Sequence, residues 1–217
     1  IKTICLKDLK AMNVQLFNQS YTSWWMNKAT SGIMVHCGNS TTNVVCFKNN
    51  HAIPYDMKLA KGLDHTRYFS KLTLKNWDIK DINRLSRTLL ENFKTLYCEF
   101  GQSSNYIQVP LPNQGHVTIK DERNTSCEIF LDPSKGSIDA IGIHKAILRV
   151  IEDNDTPDYL NVFVSGGVCN LKGFCDVLQI SINQMTKKSV KIHVGKTPQL
   201  DAWRGLAYIV RTAMSKR

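Results

Sequence analysis

The sequence predicts an α/β fold whose sheet is largely parallel or mixed and includes an antiparallel portion. Three observations indicate this fold. Short β-rich runs alternate with longer segments of helical periodicity, three such runs follow one another closely, and a glycine-centred turn follows a strand at 36–40 and again at 165–170. Strands that alternate with helices form parallel sheets, whereas closely spaced strands form meanders. The 217 residues, 42% of them hydrophobic, are enough for one or two globular domains with a sizeable core.

Residues 3–27 predict a strand-helix unit with one buried face. The apolar residues that recur at roughly helical spacing, and that we expect on this face, are Leu9, Met12, Leu16 and Trp24. The unit is expected to end before the turn-forming stretch Thr30-Ser31-Gly32.

The next segment predicts a three-stranded antiparallel meander. Its β-like runs lie at 32–35, 43–47 and 52–55. The connectors, HCGNST and KNNH, contain Gly38 and asparagines, whose backbones tolerate the positive φ angles of tight turns.

The middle of the chain predicts helices separated by turns. One helix is expected over 62–72 and a clearer one over 78–100, followed by a turn at 110–115, a short strand at 116–119 and a loop at 132–133. The apolar stripe of the second helix consists of Ile79, Ile82, Leu85, Leu89 and Phe93.

The last part of the chain predicts a helix and then a strand-turn-helix unit. The helix begins near Ser137 and is expected to direct Ile143, Ile147, Val150 and Ile151 inward. His144 lies on this face as a packed core histidine. The expected elements after Pro157 are a strand ending at 165, a helix over 174–185, a strand over 190–194 and a helix over 201–213.

The stretch at 162–173, VFVSGGVCNLKG, is the most informative turn. Adjacent glycines after a strand allow the backbone to turn sharply and to approach a ligand, and a following helix offers N–H groups to an anion. A plain structural turn is the commoner role of this pattern, so its interpretation as a phosphate or nucleotide edge depends on the rest of the chain.

Composition restricts the partners and the compartment. The net charge of +10 suits an acidic partner, but the basic residues are spread along the chain and their densest run, at 187–191, is short, which favours a protein over nucleic acid. Seven cysteines without a Cys-x-x-Cys pair predict reduced thiols inside the cell and no metal site. No apolar stretch is long enough to span a membrane, and the charged start does not resemble a secretory signal.

Several longer blocks resemble actin and the actin-related proteins. TSGIMVHCGNSTTNVVCFKNNHAIPYDMKL, at 30–59, is similar to the second phosphate loop of actin and its meander. PLPNQGHVTIKDERNTSCEIFLDPS, at 110–134, is similar to the family segment with the pattern "LPDG…I…ERF…E.LF.PS". GIHKAI, VFVSGG and LDAWRGLAYI resemble "GIH", "VLSGG" and "WIGGSILA". The blocks occur in the family's order and cover nearly the whole chain.

This resemblance implies the actin-like ATPase fold, which is ribonuclease H-like, without the N-terminal part of the first lobe. The chain would correspond to roughly the last two-thirds of actin. Residues 1–58 would form part of the large base lobe with the phosphate-loop meander. Residues 59–160 would form the second lobe, mostly helical with a small strand insert, and 161–217 would return to the base lobe.

The resemblance also implies a set of nucleotide-binding residues. Gln19 matches the glutamine that orients the attacking water, and Gly38 matches a phosphate-loop glycine. Glu91 matches the carboxylate on the adenosine side, and Gly166 and Gly167 match the loop under the nucleotide.

Other positions depart from the family pattern. His36 stands where the family has the aspartate that organises hydrated Mg²⁺, Asn39 replaces a second loop aspartate, and Asn43 replaces the histidine that helps to position water. Leu90 and Gln199 replace two lysines near the base and ribose. Mg²⁺ prefers oxygen ligands, and loss of one preorganised electrostatic group commonly costs ~10²–10³ in rate. We therefore expect no catalytic residues, and the departures put a bound Mg²⁺ in doubt. The cofactor is left open, with ATP or ADP as the candidate; Asn39 is counted among its binding residues, and backbone amides at both turns are expected to be able to hold phosphates.

The function implied is that of a divergent actin-related protein serving as a non-catalytic structural subunit of a cytoskeletal or chromatin-associated assembly. Its partners would be protein subunits in the cytoplasm or nucleus, because actin-related proteins commonly work in chromatin-remodelling complexes, in dynactin and in branched-filament nucleators. The alternative is a nucleotide-binding switch or slow ATPase. A sugar-kinase-like phosphotransferase is a third possibility, but it requires a catalytic carboxylate beside an acceptor site, and the sequence offers no positioned candidate.

Overall fold

The computed structural model describes residues 2–8, 11–12, 14–76, 98–101, 106–111, 115–154 and 157–215. Its helices, in chain order, are α1 (Lys2–Lys7), α2 (Gln19–Trp24), α3 (Gly62–Asn76), α4 (Glu122–Thr125), α5 (Ile143–Asn154), α6 (Phe174–Met185) and α7 (Asp201–Met214). Its strands are β1 (Gly32–Cys37), β2 (Thr42–Lys48), β3 (His51–Tyr55), β4 (Ile107–Leu111), β5 (Gly115–Ile119), β6 (Asn161–Ser165) and β7 (Lys191–Val194). Across these ranges, no helix has both the length and the apolarity needed to cross a bilayer.

The main sheet has five strands in the order β3-β2-β1-β6-β7. The first three strands form the antiparallel meander, and β1 then pairs in parallel with β6, which pairs in parallel with β7. Asn49 and Asn50, both at positive φ, make the turn between β2 and β3. The predicted α/β class, the meander and the mixed sheet are confirmed. A separate antiparallel hairpin consists of β4 and β5.

The two faces of the main sheet pack against different helices. Along β1, Ile33 and Val35 belong to the larger core, together with Ile143 and Ile147 of α5. Met34 points to the opposite face because successive side chains alternate along a strand. This second face forms a smaller core around Trp24 of α2, whose ring stacks on Phe47 with the centroids 4.3 Å apart, and the sheet is therefore covered on both sides.

Close packing joins α2 to the C-terminal helix α7. Gly205 of α7 lies against the backbone of α2, and a Cβ atom added to it would stand 1.7 Å from the carbonyl oxygen of Thr22. The rings of Trp25 and Tyr208 stack beside this contact, with centroids 6.4 Å apart. The absence of a side chain at 205 therefore determines how closely the two helices approach.

The predicted buried face of residues 3–27 is wrong except at Trp24. Met12 and Leu16 are exposed, and Leu9 lies outside the described residues. The physical reason is a helix cap: the side chain of Asn18 accepts a hydrogen bond of 2.8 Å from the N–H of Ser20, so α2 begins at residue 19. Apolar residues upstream of the cap are not on this helix and do not share its buried face.

Three other predictions differ from the structure or fall outside its described part. The helix expected from Ser137 begins at Ile143, because Ser137 adopts a left-handed conformation that ends a preceding turn of 3-10 helix. Strand β4 was not predicted, because Pro110 and Pro112 indicated a turn. Most of the helix expected over 78–100 lies outside the described residues.

Acidification is expected to weaken the fold through His144 of α5. This ring is buried, and burial, with a smaller contribution from Lys145, lowers the pKa of His144 below its ordinary value of 6.5. The unfolded chain then binds more protons than the folded chain as the pH falls through 6.5, so the free energy of unfolding decreases by up to about 1.4 kcal/mol per pH unit for this group. Urea titrations between pH 7.5 and 5.5 measure this, and His144→Gln should flatten the dependence. Equal slopes for the two proteins would refute the assignment.

Candidate functional site

Both predicted glycine turns lie at one edge of the main sheet. Gly38 follows β1 and Gly166 follows β6, and these strands are parallel neighbours in which His36 is paired with Ser165. The turns therefore stand side by side at the carboxyl ends of two strands. In open α/β sheets this is the edge at which ligands bind.

Gly166 is required by the fold at this edge. Its φ is +97°, and a Cβ atom added to it would stand 2.3 Å from the carbonyl oxygen of Cys37. Its N–H donates a hydrogen bond of 2.9 Å to the carbonyl of Pro198. The neighbouring Gly167 differs, because it is exposed and an added Cβ would meet no atom within 4 Å. Packing therefore requires glycine at position 166, whereas the space beside Gly167 is open to a ligand.

The Gly38 turn is bonded to the start of α3. Within the turn, the N–H of Gly38 donates to the carbonyl of Thr41 at 2.8 Å. The carbonyls of Gly38 and Asn39 accept hydrogen bonds from the N–H groups of Gly62 and Leu63, at 3.0 and 2.8 Å. These bonds use donors that the first turn of a helix otherwise leaves without a helical partner.

His36 occupies the centre of the edge, on the face of the sheet that α2 covers. It is paired with Asn43 on β2 and with Ser165 on β6, and paired residues project to the same face. The Nδ1 atom of His36 and the hydroxyl of Ser165 share a hydrogen bond of 2.9 Å. Burial lowers the pKa of His36, so the imidazole is neutral at pH 7. The three paired side chains are all uncharged polar groups.

The structure does not gather every residue of the predicted site. Gln19 is exposed at the first position of α2, and no hydrogen bond within the described residues connects its side chain to either turn. Gln199 is exposed beside the second turn, where its Oε1 accepts a hydrogen bond of 3.1 Å from Asn170. Glu91 and Leu90 lie outside the described residues. The assignment of nucleotide contacts to Gln19, Gly38, Asn39, Glu91, Gly166 and Gly167 stays a prediction.

Acidic groups contribute little to this edge. Asp201, at the start of α7, is buried next to Gly195, and burial raises the pKa of its carboxyl. Within the described ranges, no group of three or more His, Cys, Asp or Glu side chains is arranged to hold a metal ion. Among the described residues, the side chains paired across β2, β1 and β6 at this edge are therefore neutral hydrogen-bonding groups.

Sequence reasoning missed the partnership of Ser165 with His36. A weak signal existed, because each is a polar residue that directly follows a run of three apolar residues, at 33–35 and 162–164, and precedes a glycine turn. That signal indicates that both residues end strands, but it does not indicate that the two strands are adjacent.

Comparison with known proteins gives an independent view of the whole chain. No protein family model matches it. It is 25% identical to putative actin-29 of Dictyostelium discoideum over 213 residues, covering 89% of this chain and 55% of that protein. It is 22% identical to centractin of Schizosaccharomyces pombe over 219 residues, covering 92% of this chain and 58% of that protein. It is 23% identical to actin-related protein 8 of Oryza sativa subsp. indica over 193 residues, covering 83% of this chain and 40% of that protein.

The chain spans about half the length of the curated relatives it matches. The alignments cover most of its residues, and the five-stranded mixed sheet is compatible with part of an actin-like fold. The chain is therefore a relative of the actins and actin-related proteins, and it has an actin-like fold over the part of their length that it spans.

Proposed function

We propose that this chain is a divergent actin-related protein that works as a non-catalytic structural subunit of a larger cytoskeletal or chromatin-associated assembly. The observation that carries the proposal is the neutral edge formed by His36, Asn43 and Ser165. Phosphoryl transfer is catalysed mainly by positioning and by charge stabilisation through metal ions. An edge of uncharged side chains supplies neither a Mg²⁺ ligand set nor charge stabilisation.

An exposed apolar stripe on α7 supports a role in binding protein partners. Trp203, Leu206, Val210 and Met214 are 68%, 37%, 46% and 71% exposed. Their spacing of three and four residues places them on one face of the helix, opposite to the packing on α2 that Gly205 allows. Exposed apolar surface of this kind commonly marks an interaction site.

The charges of α7 indicate the chemistry of its partner. Arg204 and Arg211 are exposed beside the stripe, whereas Asp201, the single acidic residue of the helix, is buried. We therefore assign the stripe to a protein segment with apolar anchors and acidic flanks. A second copy of this chain is a poor occupant, since it brings the same arginines and the same net charge of +10 to the contact.

Trp203→Glu is expected to lower recovery of the partner at least tenfold when the assembly is purified from its native source. The substitution places a negative charge where an apolar anchor of the partner packs, next to its acidic flanks. Quantitative mass spectrometry of subunit stoichiometry measures the loss. Crosslinking to α7 should map to an acidic, apolar segment of the partner.

Ile180→Glu is the matched control for this experiment. Ile180 is also an exposed apolar residue, but it lies on α6, away from the stripe. This variant should keep normal stoichiometry. Equal losses in both variants, or crosslinks to a basic segment, would contradict the proposed surface. Co-purification with chromatin-remodelling subunits or with cytoskeletal ones assigns the compartment.

A nucleotide-binding switch or slow ATPase is a second candidate function. The observation that favours it is the presence of both glycine turns at one edge, with Gly167 open to a ligand. The scaffold proposal predicts no release of phosphate from ATP and Mg²⁺ above that of a blank reaction. Turnover that disappears in Gln19→Ala would establish the second function and overturn the first.

A further inference from the structure

Four side chains outside the candidate site form a cluster of thiol, hydroxyl and imidazole groups beside the larger core. The cluster consists of His65 on α3, Cys98, Ser126 and Cys127, the last two at the start of a short 3-10 helix. Cys98 is 3% exposed and the other three are completely buried. The Nε2 atom of His65 lies 2.9 Å from the hydroxyl oxygen of Ser126 and 3.7 Å from the sulfur of Cys127. The same hydroxyl lies 3.7 Å from the sulfur of Cys98, so both thiols contact one histidine-serine pair.

The hydrogen bonds of this cluster give the two thiols different chemistry. The sulfur of Cys127 donates to the carbonyl oxygen of Arg123 at 3.4 Å, which keeps a proton on this sulfur. When the Nε2–H of His65 donates to Ser126, the serine hydroxyl is free to donate to Cys98. The two thiols are also hydrogen-bonded to each other, and this bond is the largest of the effects that lower the pKa of Cys98 against the opposing effect of burial. Because the thiolate is the reactive form of cysteine, Cys98 is the nucleophile of the pair.

A second pair of neighbouring thiols, Cys37 and Cys169, has different surroundings. The sulfur of Cys169 donates to the carbonyl oxygen of Ser165 at 3.2 Å. The hydrogen bond with Cys37, together with burial, raises the pKa of Cys169. Among the described residues, no hydroxyl or imidazole group is hydrogen-bonded to either sulfur. Two adjacent thiols are therefore not enough to give a reactive thiolate, and the histidine-serine pair distinguishes the first cluster.

We propose that Cys98 and Cys127 are a peroxide-sensitive pair that closes to an intrachain disulfide. The Cys98 sulfur attacks one oxygen of hydrogen peroxide, so that an S–O bond forms, the O–O bond breaks and hydroxide leaves. The Cys127 sulfur then attacks the sulfenic sulfur of Cys98, the S–O bond breaks, and the hydroxyl leaves with the proton of Cys127 as water. Two electrons pass from the thiols to the peroxide. This modification does not depend on the proposed structural role.

The surroundings of the pair determine the rate of the modification and its reversal. Peroxide reaches the cluster only when this part of the core opens locally, so the reaction is slower than at an exposed thiol. The neighbouring segments are already joined, because Arg123 and Glu99 form an ion pair of 2.7 Å, and the bridge adds to an existing contact. The hydrogen bonds to Cys98 stabilise the reduced pair, so a dithiol reductant should open the disulfide readily.

Peptide mapping after treatment with hydrogen peroxide tests the proposal on the unsubstituted chain. Remaining thiols are blocked in denaturant, and disulfide-linked peptides are identified by mass spectrometry. We expect a loss of about 2 Da and a bridge between Cys98 and Cys127, both reversed by a dithiol reductant, while Cys37 and Cys169 stay reduced. A bridge at another pair, oxidation of Cys98 to sulfinic acid without a bridge, or no reaction of Cys98 under conditions that oxidise the partly exposed Cys5 overturns the proposal.

Single substitutions separate the roles of the two cysteines. Cys127→Ser should leave Cys98 as a sulfenic acid that dimedone labels, whereas Cys98→Ser should give neither label nor bridge at position 127. Equal labelling of the remaining cysteine in both variants would contradict the assigned order. In the unsubstituted chain, the oxidised form should unfold at a midpoint roughly 5–10 °C above the reduced form, because the bridge closes a loop in the unfolded chain.

Ser126 is a positioning residue in this proposal, and the rate of disulfide formation reports its role. Ser126→Ala removes the hydroxyl beside Cys98 and should slow formation of the bridge by about threefold or more. Ser20→Ala is the matched control, because Ser20 is equally buried and its hydroxyl has no hydrogen-bond partner among the described residues. Equal rates for the two variants would refute the role of the Ser126 hydroxyl. The peptide map of the unsubstituted chain decides the proposal if a variant fails to fold.

Discussion

Gly166→Ala is expected to lower the free energy of unfolding by about 2–5 kcal/mol, because backbone strain and a steric clash add to each other. The φ of +97° is unfavourable for any residue with a Cβ atom, and that atom would stand 2.3 Å from the carbonyl oxygen of Cys37. The clashing atom belongs to the backbone of β1, so it cannot move aside as a flexible side chain does. Relief would require β1 and β6 to separate at the edge where the two turns meet.

Urea unfolding followed by tryptophan fluorescence measures this loss, and Gly167→Ala provides the control. The two glycines are adjacent, but an added Cβ at 167 meets no atom within 4 Å. Its effect should stay within about 1 kcal/mol, and it can be stabilising because alanine restricts the unfolded chain. Equal losses in the two variants would show that the separation between β1 and β6 at this edge does not depend on a missing side chain.

Gly205→Ala is expected to destabilise the contact between α2 and α7 by about 2 kcal/mol or more. Alanine is the better helix former by about 1 kcal/mol, so propensity alone predicts stabilisation. The added Cβ, however, would stand 1.7 Å from the carbonyl oxygen of Thr22, and overpacking against backbone commonly costs about 1–3 kcal/mol and sometimes more. Since the two effects have opposite signs, the sign of the result decides which of them dominates.

Thermal unfolding measures this change, and tryptophan emission is a second readout to which Trp25 contributes, since its ring stacks on Tyr208 across the two helices. Ala213→Leu adds a larger side chain at an exposed position of the same helix and should leave the transition nearly unchanged. Stabilisation by Gly205→Ala would mean that the helices lie farther apart than the structure has them.

The parts of the fold that were predictable are those that depend on local periodicity. The inward face of α5, with Ile143, Ile147 and Ile151, follows from a 3.6-residue repeat, and the strands of the meander follow from short apolar runs between turn residues. The spacing of apolar residues does not show where a helix cap separates one segment from the next. For this reason Met12 and Leu16 were assigned to a face that begins only after Asn18. Strand β4 was also missed, because the prolines near its end are typical of turns, although proline can occupy an edge strand of a two-stranded hairpin as well.

The candidate site was predictable only as separate pieces. Each glycine turn is a local pattern that can be recognised from its own strand. The contact between His36 and Ser165 joins residues that are 129 positions apart, and it exists because β1 and β6 are neighbours in one register. No local pattern encodes that register. The neutral, nearly buried state of His36 also follows from the packing around it, which only the assembled sheet provides.

The hydrogen bonds from the Gly38 turn to α3 attach the start of the helix to the edge of the main sheet. Gly62 and Leu63 attach one end of α3 to the carbonyls of Gly38 and Asn39, and the helix continues for 15 residues. We therefore expect a molecule that reshapes the Gly38 turn to shift these two bonds, and so to move the start of α3 relative to Phe69, the residue that anchors the middle of the helix in the core.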